Sequence, residues 1–339
     1  MSAMDSLRPG AARDDGGAAS PRVLAFDIGG TWVKHGLVDA QGRVQSAGRT
    51  PTRAQGDGRA LLARLVEVAR PLVHWHDPAG IAVATLGIVD RESGRVRAAG
   101  EAIPGYTGLS PREVFESAFA RPVVVENDGN TVALAEGWTG AARGLADYLA
   151  VTLGTGIGGG LVVDGRLHRG AHGAAGEWGY MRIDGLQWED HASLRGLAAM
   201  AAAACPGESL DARAVLERAD AGDPAMRAVV ARWMDLLAAG LANLLFAFDP
   251  ARIVVGGGIT ARGERFVDEL RAALAGRLGP DFHGHLDLAL ASAGNHAGLL
   301  GAARCWFERH APGVTAHASV PVPVPAPASA PTPASAPSA

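Results

Sequence analysis

Val23-Leu24-Ala25-Phe26-Asp27-Ile28-Gly29-Gly30-Thr31-Trp32-Val33-Lys34-His35-Gly36-Leu37-Val38 is an apolar run that stops at a carboxylate and two glycines and then resumes. Two strands joined by a tight turn explain it, with a third strand around Val44 to Gly48. A turn with a glycine tip exposes backbone N–H groups with no side chain in the way, and such a nest binds phosphate oxygens. The pattern recurs. Tyr148 to Leu153 runs into Gly154-Thr155-Gly156-Ile157-Gly158-Gly159-Gly160, and Gly160 to Gly165 leaves as the return strand of a hairpin. Arg252-Ile253-Val254-Val255 then delivers a third turn, Gly256-Gly257-Gly258-Ile259. A single turn of this kind is more often only a hairpin. Three of them behind buried strands, with Asn127-Asp128 between the first two, describe a nucleotide site split between two halves. Strand–turn–strand early in each half is a duplication of structure without an obvious repeat of sequence.

Between the turns the chain alternates strands and helices, so the fold class is α/β. Residues 58 to 75 have helical spacing, Ile81 to Ala84 is a buried strand, and a helix near 110 to 119 precedes the strand Pro122 to Glu126. Helices are expected over about 129 to 142, 225 to 248 and Ala297 to Phe307, the last with Gly298 and Gly301 on one face for tight packing. Residues 1–20 and 312–339, rich in Ala, Gly, Ser or Pro, read as disordered tails. The expected domains are 21–130 with 297–311, and 131–296.

With 339 residues, 48% of them hydrophobic, the chain can bury two ordinary cores. A net charge of −4 and no basic–aromatic tract disfavour nucleic acid. Cys205 and Cys305 lie far apart, outside any paired metal-ligand spacing, which fits a reducing cytoplasm and disfavours structural zinc. No stretch reads as a signal peptide or as the ~20 apolar residues of a membrane span. No Walker-type Gly-x-x-x-x-Gly-Lys sequence occurs.

The chemistry falls on a few side chains. Asp27, at a strand end facing the expected phosphates, suits Mg²⁺ held directly or through water. Gly29, Gly30 and Thr31, then Gly154, Thr155 and Gly156, are the phosphate turns; Lys34, the only lysine, is placed with them on the nucleotide side, as are Gly256, Gly257 and Gly258. Asp128 can take the proton from an attacking hydroxyl, the role phosphoryl transfer needs alongside metal and phosphate clamps. The cluster His172 to Tyr180, followed by Trp188-Glu189-Asp190, suits a polyhydroxyl ligand, with carboxylates accepting from vicinal hydroxyls and aromatic faces covering a ring.

Taken together, residues 22 to 308 resemble the ROK family of sugar kinases and repressors, within the actin-like ATPase superfamily that includes hexokinases. Phe26 to Thr31 resembles the family's first phosphate motif, Val125 to Asn130 its catalytic segment, and Leu153 to Gly160 its second phosphate motif. Gly170 to Gly179 resembles the sugar-binding loop and Val255 to Ile259 the adenosine segment. The resemblance implies two ribonuclease-H-like domains of the actin/hexokinase type, with an interdomain cleft that closes on the sugar and with ATP and Mg²⁺ as donor. It makes Asp128 the base on the 6-hydroxyl, Asn127 a sugar ligand, Glu177 and Glu189 ligands nearer the anomeric carbon, and Gly87 part of the cleft wall. Many members follow the sugar loop with a histidine and a cysteine-rich zinc motif. Here Tyr180 takes the histidine's place and no cysteine follows, so no zinc site is expected, and Tyr180 bears on hydroxyl specificity. Zinc-free relatives share the Ile103-Pro104-Gly105-Tyr106-Thr107-Gly108 pattern and include glucokinases, β-glucoside kinases and N-acetylmannosamine kinases. An ATP-dependent glucokinase is the leading expectation; β-glucoside, N-acetylmannosamine or N-acetylglucosamine kinases are the alternatives, and a sugar-sensing regulator stands behind them. A homodimer is implied by the resemblance alone.

Overall fold

The structure, a computed structural model, describes residues 20–52 and 57–313, apart from the side chain of His283. The two stretches read as disordered tails lie outside the described residues except for Ser20, Pro312 and Gly313.

The opening apolar run forms β1 (Arg22–Ile28) and β2 (Trp32–Asp39), antiparallel, with β3 (Val44–Pro51) beside β2. Helix α1 (Gly58–His76) starts where Asp57 accepts a hydrogen bond from Ala60 N, and it returns the chain to β4 (Gly80–Thr85), parallel to β1. A hairpin of β5 (Ile88–Asp90) and β6 (Arg95–Ala98), too short and polar to read from the sequence, stands beside this sheet. Helix α2 (Pro111–Phe119), with Ser110 accepting from Glu113 N and proline in its first turn, leads to β7 (Val123–Asn127), parallel to β4. The sheet order is β3-β2-β1-β4-β7.

Helix α3 (Asp128–Trp138) carries the chain to the second sheet. Its strands are β8 (Tyr148–Leu153), β9 (Ile157–Val163) and β10 (Arg166–His168); the two-residue strands β11 (Arg182–Ile183) and β12 (Leu186–Gln187) form a separate pair. Helices α4 (Trp188–Ala192), α5 (Leu194–Ala204), α6 (Ala212–Asp220) and α7 (Pro224–Phe248) precede β13 (Arg252–Gly257). Then come α8 (Glu264–Ala275), β14 (Leu288–Leu290) and α9 (Ala297–His310). The second sheet runs β10-β9-β8-β13-β14, with β8 antiparallel to β9 and parallel to β13. Strand for strand this repeats the first sheet, so the duplication inferred from the glycine turns is topological.

Three cores hold the layers. Leu24, Phe26, Leu61, Leu65 and Phe115 pack α1 and α2 on one face of the first sheet. Ala25, Ala82, Ala133, Ala150, Val254 and Ala302 form a core between the sheets, where α3 and α9 lie. Its small side chains let backbones approach closely. The third core packs α5 to α8 on the second sheet. Helix α7 has 25 residues, and an 18-residue window within it with a mean hydropathy of 1.5 is long and apolar enough to cross a bilayer, contrary to the expectation of no such stretch; Trp233, Leu237, Leu241 and Leu245 are buried in this core instead.

Helix α3 stops at Trp138, short of the expected 142. The Glu136 carboxylate captures the amide of Ala141 at 2.7 Å, which turns the backbone out of the helical ladder.

Candidate active site

Strand β7 ends at Asn127, whose side chain caps α3 by accepting from Asn130 N at 3.0 Å. Its Nδ2 donates to the carbonyl of Gly87 at 3.0 Å and to Asp128 Oδ1 at 3.2 Å. Asp128 opens the helix, where the positive end of the helix dipole favours a carboxylate, and its Oδ1 also accepts from Gly129 N at 2.9 Å. Gly87 has φ +92°, and a Cβ there would lie 2.2 Å from the carbonyl oxygen of Ala98. Gly87→Ala is therefore expected to displace the carbonyl that holds Asn127. The outcome should be a melting temperature lower by several degrees and a weaker sugar affinity, both measurable on the purified protein; an unchanged pair of values would mean that the Ala98 backbone yields freely.

Asp128 faces a cavity of about 700 Å³ that it shares with Asp27, Lys34, Gly256, Gly257 and Gly258. Its side chain is exposed to this cleft, deep between the walls that the surrounding strands and helices build. Depth in the cleft, which disfavours the charged form, is the main cause that lifts its pKa to about 7; Asp27 and Glu177 add like-charge repulsion, and the Gly129 amide opposes the rise. A carboxylate in this range is matched to proton abstraction near neutral pH.

Asp27, a β1 residue, pairs across the ladder with Lys34 of β2, and Lys34 Nζ stands 3.5 Å from its Oδ2. Burial raises the Asp27 pKa and Lys34 partly offsets this. Two carboxylates that line one cavity, with the charge of Asp27 helping to raise the Asp128 pKa, form a donor set suited to a divalent cation, so these residues fit Mg²⁺. Lys34 also donates to the carbonyl of Asn295 at 3.0 Å, tying β2 to the approach to α9.

The turns are shaped as nests. Gly29 N donates to Trp32 O at 3.1 Å, and Thr52 holds the turn by donating through Oγ1 to Gly29 O and through N to Thr31 O. The amides of Gly30 and Thr31 have no partner among the described residues, and Thr31 is exposed. In the second turn Gly154 N donates to Gly156 O, and Thr155 is exposed. Neither turn lines the 700 Å³ cavity, whereas the third does. At Gly257, φ is +88° and a Cβ would fall 2.3 Å from Leu153 O, so this close pairing of β13 with β8 requires glycine.

Glu177 lies just before a one-turn helix, Trp178–Tyr180, and burial followed by the charge of Glu189 raises its pKa. Glu189 sits in the first turn of α4. Its Oε2 accepts from Ile157 N at 3.2 Å and its Oε1 from Gln187 at 3.0 Å, so it braces the turn of Gly154 to Gly156 where β9 begins. The expected aromatic cover for a sugar is corrected. Trp178 and Trp188 are buried, and their indole N–H groups donate to Ala150 O and Leu236 O, because a buried indole needs a partner and the core supplies one. Tyr180 is 63% exposed.

Sequence reading missed Glu136. Fully buried on α3 and lining the cavity, it accepts from the amides of Ala141, Ser292 at 3.1 Å and Ala293 at 2.9 Å. Only the fold brings residues 292 and 293 to it. Glu136→Ala is expected to cost about 3 kcal/mol by leaving these donors unpaired. Urea denaturation measures it, and a loss below about 1 kcal/mol would mean that water replaces the carboxylate.

The sequence model of the ROK family matches residues 23–309. A β-glucoside kinase of Klebsiella pneumoniae is 36% identical over 293 residues, covering 83% of this chain and 94% of that one. Among solved structures, a ROK hexokinase from Thermus thermophilus aligns with a TM-score of 0.75 at 33% identity, covering 85% of this chain and 99% of the other. A ROK family glucokinase from Streptomyces griseus in complex with glucose and AMPPNP aligns with a TM-score of 0.72 at 30% identity, over 84% and 98% of the two chains.

Proposed function

The chain belongs to the ROK family and is a sugar kinase, and from that premise we propose that it transfers the terminal phosphoryl group of ATP to the 6-hydroxyl of a hexose, with glucose the foremost acceptor. The observation that carries the site assignment is Asp128: a carboxylate at the first position of α3, with its pKa near 7, facing the cavity that also holds Asp27 and Lys34. Nucleotide use is supported by the AMPPNP bound to the Streptomyces griseus glucokinase, and glucose by the sugar in that same complex.

In this reading Asn127 and Glu177 hold the sugar so that its 6-hydroxyl reaches Asp128 Oδ2, the oxygen opposite the one that binds Asn127 and Gly129. Asp128 accepts the hydroxyl proton as the oxygen attacks phosphorus. The free amides of Gly30 and Thr31, with the second turn opposite, bind phosphate oxygens; Lys34 places a positive charge beside them. Asp27 is the residue that would hold Mg²⁺, which when bound neutralises charge on the phosphate chain. Gly256 to Gly258 bring backbone without side chains to the nucleoside. Closure of the two halves excludes water, so that transfer to the sugar outruns hydrolysis.

The identity to a β-glucoside kinase favours a second acceptor class, a β-linked disaccharide. A coupled ADP-release assay with glucose, N-acetylglucosamine, N-acetylmannosamine, mannose, fructose and cellobiose separates the two. Glucose is expected to give the highest kcat/KM. Turnover with cellobiose but not glucose would move the acceptor to β-glucosides, and ADP release independent of every sugar would sink the acceptor reading.

A further inference from the structure

Arg169 follows β10 and stands at the root of the loop that ends in Glu177. Its Nε donates to Glu126 Oε2 at 2.6 Å, with the two side chains only 18% and 5% exposed. Glu126 lies within the catalytic segment, next to Asn127, and its other oxygen accepts from Asn127 N at 2.9 Å and from Asn130 Nδ2 at 2.9 Å. One carboxylate thus ties together the arginine from the second sheet, the backbone of Asn127 at the end of β7, and a side chain in the first turn of α3. A second guanidinium nitrogen of Arg169 stands 3.7 Å from Cys305 Sγ of α9.

The same residue closes the loop through its backbone. Arg169 O accepts from Ala175 N at 3.1 Å, and the loop between them turns through Gly170 and Gly173 at φ +69° and +73°. Gly173 packs where a Cβ would meet Val89 O at 2.8 Å, and Gly176 where it would meet Gly159 O at 2.6 Å. The loop is therefore wedged between the β5–β6 hairpin and β9. Its root, through Arg169, is pinned to the strand that ends in Asn127 and leads directly into Asp128.

We propose that Arg169 is the positioning residue that fastens the acceptor loop to the catalytic segment, so that Glu177 and Asp128 keep a fixed separation when the sugar binds. Arg169 itself touches neither sugar nor phosphate. The inference rests on Asp128 as base and Glu177 as sugar ligand. It predicts a particular division of effects: losing the pin weakens the sugar and slows turnover, while the nucleotide side, built from Lys34 and Gly256 to Gly258, is spared.

Removing Arg169 alone would strand Glu126 as a buried unpaired charge, which generally unfolds or severely destabilises a domain. The test therefore uses the double variant Arg169→Met/Glu126→Gln, which removes both charges at similar volume and keeps a carbonyl oxygen for Asn127 N and Asn130, together with Arg169→Lys. Steady-state kinetics are read with the acceptor that the sugar panel returns, and ADP affinity by fluorescence titration. For the folded double variant, sugar KM is expected to rise about 10-fold or more and kcat to fall about 10-fold, the range seen when groups that orient a site are removed. ADP affinity should stay within about twofold, and Arg169→Lys should recover part of the loss. Unchanged sugar KM and kcat would overturn the proposal, and so would an equal loss of ADP affinity, which marks general loosening. Should the double variant not fold, Arg169→Lys carries the test through the same split between sugar and nucleotide. Asp128→Asn, assayed alongside, shows separately whether the base assignment itself fails.

Discussion

Asp128→Asn is expected to lower kcat by about 10²–10⁴-fold with the fold intact, the range typical of a lost general base. The amide has nearly the same shape and can keep its oxygen toward Gly129 N and Asn127, so the start of α3 is preserved. What it loses is the capacity to take a proton. The pH profile of the native protein follows from the same group: with a pKa near 7, kcat/KM should fall about tenfold per unit as pH drops below that value. Stability should move the opposite way. A carboxyl whose folded-state pKa lies above its ordinary 3.8 binds its proton more tightly in the folded protein, so its contribution is fullest below 3.8 and is lost as pH rises through about 7. Asp128→Asn removes that penalty and should melt slightly higher than the native protein at pH 8. Cleft water screens the charge and holds the gain to about 1 kcal/mol, and the two proteins should converge below pH 4. Retained turnover would refute Asp128 as the base; a lower melting temperature at pH 8 would show that the carboxylate stabilises the fold.

Gly301→Val should abolish the folded state or come close to it. A Cβ at Gly301 of α9 would lie 1.8 Å from the carbonyl oxygen and 2.4 Å from the carbonyl carbon of Thr131 in α3, and neither is the movable end of a side chain. One turn earlier, a Cβ at Gly298 would fall 2.4 Å from the carboxyl carbon of Asp27. Helices α3 and α9 can approach this closely only without a side chain at Gly301, and α3 carries Asp128. Even Gly301→Ala is expected to cost on the order of 3 kcal/mol, as overpacking of rigid backbone does, and to lower the melting temperature by about 10 °C. A shift within about 2 °C would show that the helices separate without penalty. Gly298→Ala should act more locally, through Asp27, and reduce activity more than stability.

Much of this molecule is legible in its primary structure, for identifiable reasons. Buried strands announce themselves as apolar runs, as Val23 to Phe26 and Tyr148 to Leu153 do, and glycine turns interrupt them abruptly, so both hairpins and the order of motifs can be read directly. Asn127 reads as the end of a strand because its side chain also caps the helix that follows, a local preference. The spacing of Gly298 and Gly301 announces a close approach but not its partner. Less legible were elements whose hydrogen bonds are set from outside. The β5–β6 hairpin is three and four residues long, and α3 ends early because the Glu136 carboxylate captures a backbone amide. The tryptophans near the acceptor loop misled, since composition cannot distinguish a ring facing a ligand from one facing the core.

The α/β class and the doubled strand–turn–strand plan are written in neighbouring residues, and so are the motifs that make Asp27, Asp128 and Glu177 candidates, because each pattern depends on residues adjacent along the chain. Which of these groups face one another is set by packing in three dimensions. Asp27 comes from β1 and Asp128 from the start of α3, and they share a cavity. Glu136 reaches amides more than 150 residues away, and Arg169 crosses 43 residues to Glu126. A charge acts on whatever lies within a few ångströms. Proximity in space, set by sheets stacked on a common pair of helices, therefore lifts the Asp128 pKa to about 7 through burial and neighbouring carboxylates, and no local pattern carries that information.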